Sequence, residues 1–583
     1  MSQRTALWET PRGKTVQVAI RKLTGELVRL RQGTLTDDEF RPTKTILGTY
    51  GQRQPEQYML RVRLPYGAIT ARQLRALADE ARTYGNGTGH LTTRQDIQLH
   101  WLPLDAIPAV LQRLGDEGLI TFQSGGNSVR NVAACPLAGA CDKEVFDVTA
   151  HAAAVDDYYV GNLAVQNLPR KFKSSFSGCP SDCALSAIQD FGAIAVQGSE
   201  DGSTVRGFRV YVGGGLGSMP RPAMLLQDFV PESEVLPTYE AMVRVFERLG
   251  DRTKKDRARL KFVVSRLGEE EIRRLVQEER EVLGREGVTF PSVIPGGEHG
   301  RPADAGPTAA EPQGYEYRRW LRWNATLQRQ AGLYSVAIAL PLGDITSEQM
   351  ETVATVAERF SGSTLRTSAQ QNLHLRGLPQ SALPTVYDAL HKAGLTSLRA
   401  YGIADVTSCP GTFACSLAIA SSKGLGQQLQ QMFLADIYQD DEALGGLRVK
   451  LSGCPDACGH HYLGDIGLCA GAQHQDGHLY PAHTLYLAGK VDERGTRFGQ
   501  PVVKLPARKV PQALEHLLSF YKAERQAEEP FSNFVDRVGT KAVRDLLEEF
   551  THIPPLAQAP SNFIDWDSTR MYILERGEGE CSV

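Results

Sequence analysis

The strongest constraint on this chain is that it is written twice. Tyr58-Met-Leu-Arg-Val-Arg-Leu-Pro-Tyr-Gly-Ala-Ile-Thr70 returns as Tyr334-Ser-Val-Ala-Ile-Ala-Leu-Pro-Leu-Gly-Asp-Ile-Thr346. The offset, 276 from Tyr58 to Tyr334, also joins Pro103 to Pro379. Further on, Cys135 and Cys141 return as Cys409 and Cys415 at an offset of 274. Cys179, Cys183 and Asp190 return as Cys454, Cys458 and Asp465 at 275, as do Tyr211 and Gly214 as Tyr486 and Gly489. Two long units, rather than many short ones, imply a pseudo-twofold pair of lobes and exclude a solenoid.

Within each unit two parts are legible. In the first half an alternating strand (58–64) precedes a helical stretch (70–84), a strand (97–102), a helix (106–114) and a strand (119–123). This βαββαβ-like order predicts a ferredoxin-like α+β lobe. From about Asn127 the pattern changes to glycine-punctuated strands, such as 207–212, mixed with helices, and this second part carries the cysteines. Pro291 to Gly314 is rich in Pro, Gly and Ala without periodicity and reads as a linker. The tail after Pro554 is expected to wrap the body.

A net charge of −3 gives no basic face for a nucleic acid. Neither a bilayer-spanning run nor a secretory signal is visible, so a cytoplasmic protein is expected. There the ten cysteines are better read as ligands than as disulfides. Each half carries C-x5-C followed by C-x3-C, and four thiolates are the ligand set of a 4Fe–4S cluster. Structural zinc favours tighter knuckles. Pro136, Pro180, Pro410 and Pro455 directly follow a cysteine and pin the backbone there. Cys469 and Cys581 have no partner at a useful spacing and read as a buried thiol and a tail thiol.

Ser452-Gly-Cys454-Pro-Asp-Ala-Cys458-Gly, downstream of Cys409-x5-Cys415, resembles the signature of the assimilatory sulfite and nitrite reductases. The resemblance spans nearly the whole chain. It implies an α+β, internally duplicated protein: a pseudo-twofold pair of ferredoxin-like lobes plus sirohaem/iron–sulfur α/β domains. The expected boundaries are an N-terminal extension (1–56), lobe 1 (57–125), sirohaem/Fe–S domain 1 (126–290), the linker (291–315), lobe 2 (316–400), sirohaem/Fe–S domain 2 (401–553) and the tail (554–583). It also implies a sirohaem coupled to a 4Fe–4S cluster held by Cys409, Cys415, Cys454 and Cys458, with Cys458 shared between cluster and haem iron.

A small oxyanion whose oxygens leave as water needs positive charge and proton donors. By resemblance, Arg94, Arg130, Lys171 and Lys173 match the family's substrate-binding quartet. Arginine offers a permanently charged fork, while lysine crowded by cations can lower its pKa and deliver protons. The repeat tests this against the alternative of ordinary surface charges. The equivalent positions are Gln370, Ala404, Gly446 and Arg448, so only one of the four stays basic. A purely structural set ought to persist in both halves. Sirohaem also carries eight carboxylates, for which Arg61, Arg63, Arg259 and Lys261 are candidates. Alternation puts Arg61 and Arg63 on one strand face. Gly213-Gly-Gly-Leu-Gly217 lacks a nucleotide-loop spacing and suggests close backbone approach, to a macrocycle or another lobe.

One departure from the family pattern stands out. The first half keeps a complete set, Cys135, Cys141, Cys179 and Cys183, where the family usually has none. A second cluster, a zinc site and relict thiols all remain open, with a cluster favoured. Lys173 stands where nitrite-specialised members tend to carry asparagine, so sulfite is the expected substrate and nitrite the alternative. An iron–sulfur electron-transfer protein without haem and a zinc-bound scaffold are the readings from other classes. Electrons are expected from an external donor, ferredoxin or a flavoprotein subunit, and the pseudo-symmetry suits a monomer.

Overall fold

The structure is a computed structural model that describes residues 6–200, 202–293, 312, 314–492 and 495–577. Most of the expected linker and Cys581 lie outside the described residues. Among the described residues, no helix is long and apolar enough to cross a membrane.

The first lobe is built from β1 (Thr49–Gly51), β2 (Tyr58–Val62), β3 (Ala68–Thr70), the helix Ala71–Tyr84, β4 (Thr88–Leu91), β5 (Ile97–Leu102) and the helix Ile107–Asp116. The helix after β3 starts where the sequence supplies a reciprocal cap: the Thr70 hydroxyl accepts from the Gln73 N–H and the Gln73 side chain returns to the Thr70 N–H. Next come β6 (Val129–Ala134), β7 (Phe172–Ser177), β8 (Phe191–Glu200), β9 (Ser203–Val212) and β10 (Met224–Pro231). They form one sheet in the order β10-β9-β8-β7-β6, with β6, β7 and β8 parallel and the rest antiparallel.

The second half repeats this plan. Its lobe contains β11 (Ala325–Leu327), β12 (Leu333–Ile338), β13 (Asp344–Thr346), β14 (Thr364–Thr367) and β15 (Leu373–Pro379). Its cysteine-bearing part contains β16 (Thr407–Ser408), β17 (Val449–Ser452), β18 (Ile466–Gln475), β19 (His478–Leu487), a short hairpin of β20 (Lys490–Asp492) and β21 (Gly495–Arg497), and β22 (Gln500–Pro506). Strands β16, β17 and β18 are parallel and β18, β19 and β22 antiparallel, as in the first half. Left-handed backbone recurs as well: Tyr66 with Leu342, Gln95 with Gln371, and Leu185 with His460 all have positive φ.

Two findings were not visible in the sequence. The lobes exchange edge strands: β13 of the second half pairs with β4 of the first, and β3 of the first pairs with β14 of the second. One continuous apolar core therefore runs through both lobes, from Leu60 and Ile69 to Ile345 and Leu365. The expected strand at 119–123 is instead a turn with a single bridge, Arg63 to Ile120. The reason is that β1, placed by the sequence in the N-terminal extension, already pairs with β2 along that edge.

The tail is irregular and straps the second cysteine loop. The Tyr572 hydroxyl donates to Ile419 O at 2.7 Å, Gly577 N to Ser416 O at 3.0 Å, and Ser421 N to the Asp565 carboxylate at 2.8 Å.

Candidate functional site

The second-half cysteines sit on two loops. Cys409 and Cys415 follow β16, and Cys454 and Cys458 follow β17. The loops touch at glycine: a Cβ on Gly453 would lie 2.9 Å from the Gly411 Cα, and one on Gly459 would lie 1.7 Å from Leu451 O. Cys409 and Cys454 are buried and Cys415 is half-buried, while the Cys458 thiol is open to solvent yet walled by protein on nearly every side. The Gly453 N–H donates to Cys409 Sγ at 3.1 Å. All nine described cysteines are free thiols.

Their electrostatics test the fit to a cluster. Burial pushes the Cys454 thiol far up, and the nearby Asp456, Cys458 and Cys409 push it further. Cys458 rises to about 12 through burial, Cys409 and Asp456, with Lys171 and Lys173 opposing. Thiols in one another's field ionise only when a positive inorganic core lies among them, so this donor set fits a 4Fe–4S cluster.

The first half faces Cys458 directly. The Thr93 hydroxyl donates to Cys458 O at 2.8 Å, which brings the Thr93–Arg94 turn against the backbone of Cys458. Arg94 is held by Asn131, since its Nη2 donates to Asn131 O at 2.8 Å and the Asn131 amide donates to Arg94 O at 3.1 Å. Burial lowers the Arg94 pKa, with the Arg130 and Arg61 charges adding and Asp96 opposing. Arg130, 6% exposed, wraps its fork around the loop carbonyls of Ser124 and Gly126. Lys173 is depressed far below an ordinary lysine, first by burial, then by Arg94, Arg259 and Lys171, while Cys458 pulls the other way. Asp190 fixes this corner: it accepts the Lys173 N–H at 2.9 Å and pairs with Arg259 at 2.6 Å.

Of the sequence-predicted residues, the fold thus brings Arg94, Lys171, Lys173 and Arg259 around Cys458, with Arg130 and Arg61 flanking Arg94. Arg61 lies 3.7 Å from Asp96 and over the Tyr50 ring. Lys261 points its ammonium at Leu216 O and Met219 O, both at 2.7 Å, so it braces the glycine loop 213–217. That loop packs on backbone as expected of glycine: a Cβ on Gly214 would lie 2.7 Å from the Ile188 carbonyl carbon. Arg63 is a correction to the sequence reading. It is 2% exposed, its Nη2 pairs with Asp156, and its Nη1 reaches Gln123 O at 3.1 Å. Strand alternation does put it beside Arg61, but the charge is spent tying the lobe to the helix Thr149–Tyr159, which leaves it structural.

Thr93, Asn131 and His460 went unassigned in the sequence. Asp190 was visible as a repeat marker but without a role. His460 has left-handed backbone two residues after Cys458, and its Nδ1 lacks a partner among the described residues. Burial, then Lys450, Lys173 and Arg94, hold it neutral. Its position next to the C-x3-C pair was the available signal. The excess of cations over carboxylates around an accessible thiol also fits a polyanionic tetrapyrrole, while Arg259 is itself paired with Asp190 and Arg61 lies by Asp96.

In the first half, Cys135 and Cys179 are buried, Cys141 is half-buried and Cys183 is reached by solvent. The Cys135 and Cys183 thiols act on each other, Cys183 pushing the Cys135 thiol up and Cys135 drawing the Cys183 thiol down.

Comparison with known proteins gives the family. The family described as "Nitrite and sulphite reductase 4Fe-4S domain" matches residues 125–282 and 400–553, and its "Nitrite/Sulfite reductase ferredoxin-like half domain" matches 50–117 and 326–393. The chain belongs to the nitrite and sulfite reductase family. It is an oxidoreductase enzyme carrying that family's 4Fe–4S domain. An assimilatory ferredoxin-dependent nitrite reductase of Haloferax mediterranei is 29% identical over 523 residues, 86% of either chain. Sulfite reductase [ferredoxin] 2 of Mycolicibacterium paratuberculosis is 31% identical over 70% of this chain and 69% of its own. The Mycobacterium tuberculosis NirA protein shares the fold, with a TM-score of 0.75 at 23% identity over 92% of this chain and 97% of that one.

Proposed function

We propose that this reductase takes sulfite through six electrons to sulfide, using a sirohaem coupled to a 4Fe–4S cluster on Cys409, Cys415, Cys454 and Cys458. The observation that carries this reading is Lys173, a half-buried lysine crowded by Arg94, Arg259 and Lys171 near the Cys458 thiol. When bound, the coupled cofactors supply electrons one at a time to a small anion. The residues of this chain do the rest. Arg94 is suited to hold anionic oxygens, because a guanidinium offers paired donors, and Arg130, whose fork is spent on loop carbonyls, adds its charge beside it. Lys173 is suited to hand a proton to a departing oxygen, because burial and the neighbouring Arg94, Arg259 and Lys171 make its ammonium a stronger acid than an ordinary lysine. Asp190 positions Lys173 through its backbone and balances Arg259. Sulfite, a dianion, gains more from a fourth cation than monoanionic nitrite does. A ferredoxin-type donor is the matching electron source, as the names of the relatives say of those proteins.

The test is anaerobic turnover of both anions with an artificial reductant. Lys173→Asn should lower kcat/KM for sulfite by about a hundredfold and for nitrite much less. The sign of the pH effect follows from the depressed lysine. Its protonated form exists only below the lowered pKa, so sulfite turnover should fall on the alkaline side well before an ordinary lysine titrates. Lys173→Asn should remove that limb. A parent that strongly prefers nitrite, with no change on substitution, overturns the substrate assignment.

A further inference from the structure

The first-half cysteines are not a loose echo of the second-half set; the chain holds them in the same conformation. Cys141 N donates to Leu137 O at 2.9 Å, as Cys415 N does to Gly411 O at 2.8 Å. Val145 N reaches Gly178 O and Ile419 N reaches Gly453 O, each at 2.7 Å, so the two loops of either set are stitched at one register. Inside the C-x3-C turns, Asp182 and Ala457 are both left-handed, with φ of 48° and 58°. For a non-glycine residue that costs roughly 1 kcal/mol. The order of exposure also agrees: buried, half-buried, buried, and a last thiol that solvent reaches.

Each set is clamped by the opposite lobe through equivalent residues. Arg53 N donates to Ala414 O at 2.9 Å and the Gln54 amide to Phe413 O at 2.9 Å. Arg329 N donates to Ala140 O at 3.0 Å and the Gln330 amide to Gly139 O at 2.7 Å. Relict thiols would need neither the strained turn nor the clamp.

What differs is the outer wall. Thr93 and His460, which adjoin Cys458, are replaced at the equivalent positions by Ala369 and Leu185. These pack with Ile188 and Leu463 into a small apolar cluster. Three of the four equivalents of the basic quartet are uncharged.

We propose that Cys135, Cys141, Cys179 and Cys183 bind a second 4Fe–4S cluster, one that carries electrons and takes no substrate. The proposal rests on the family's own cluster occupying the second-half set, and the two can be told apart. The parent protein, purified anaerobically, should contain about eight non-haem irons and eight acid-labile sulfides per chain, against about four for one cluster. Cys141→Ser should bring both to about four while sparing the signal of the cluster coupled to haem in electron paramagnetic resonance. Cys415→Ser should also halve them but abolish that signal. Four irons in the parent, unchanged in Cys141→Ser and lost in Cys415→Ser, overturn the second cluster and leave the first. Zinc in the parent, or a Cys135–Cys183 disulfide by thiol counting, overturns it as well. Eight irons that Cys415→Ser leaves unchanged sink the reading on which the proposal rests. Should a variant fail to fold, the metal content of the parent decides by itself.

Discussion

The two cysteine-bearing parts share strand order, turn conformation and exposure, yet only one of them meets a wall of cations. Around Cys458 and Lys173 stand Arg94, Lys171 and Arg259, whereas Ala369 and Leu185, the equivalents of Thr93 and His460, pack into an apolar cluster with Ile188 and Leu463. The difference teaches that the duplicated scaffold sets four cysteines alike in both halves, while the charge they meet depends on what the other half presents across the pseudo-twofold. The cationic surroundings of Cys458 belong to neither half alone.

The largest effect should come from Cys458 against Cys183. Cys458→Ala should cut turnover by about a thousandfold or more, whereas Cys183→Ala should leave measurable reduction of the substrate by an artificial donor. Steady-state assays check this, and equal losses would break the contrast. Next come the two repeated aspartates. Asp190 is fully buried against Arg259 and also holds the Lys173 N–H, so Asp190→Asn should cost about 3–5 kcal/mol in denaturant unfolding. Asp465 holds Arg448 in the same way, but that arginine is 32% exposed, and Asp465→Asn should cost about 1 kcal/mol or less.

The exchanged strands offer a third contrast. Asp344 on β13 bonds His90 Nδ1 at 2.7 Å and Lys423 Nζ at 2.5 Å. Burial raises its pKa, but Lys423 and then His90 more than offset this and hold it at about 2. A depressed carboxylate stabilises the fold above its unfolded pKa near 4, and that contribution disappears as pH falls toward 2. Asp344→Ala should therefore cost about 1–2 kcal/mol at neutral pH, discounted for partial exposure, and nothing once both states are protonated. The equivalent residue on β3 is Ala68, so the other exchange has no such carboxylate; Arg366 there stacks on Tyr66 with its guanidinium 4.5 Å from the ring centre. Acid unfolding followed by circular dichroism checks this. Smallest are the clamps: Gln54→Ala and Gln330→Ala should each cost about 1 kcal/mol, and about equally.

Much of this was legible because duplication supplied an internal control. The repeat exposed the cysteine sets, and it set Arg94, Arg130 and Lys171, whose equivalents Gln370, Ala404 and Gly446 are uncharged, apart from Lys173, whose equivalent Arg448 is basic. The strand exchange was not legible, since β3 and β13 are three residues long and read as the lead-in to a capped helix. Nor was the role of Arg63, whose alternation with Arg61 is real but whose partner, Asp156, lies 93 residues away on another element. Segment 119–123 has the apolar content of a strand, but backbone pairing is decided by which edge is already taken. Thr93 escaped notice because a hydroxyl that reaches across 365 residues of sequence leaves no local pattern.

The swapped strands carry a consequence for the history and handling of the protein. A half expressed by itself would leave β4 or β14 without its outer neighbour, a raw hydrogen-bonding edge beside exposed apolar core. Its natural remedy is a second copy of itself, each lending the other the missing strand. Fusion made that loan permanent within one molecule, and a break in the backbone between the halves should leave them gripping each other.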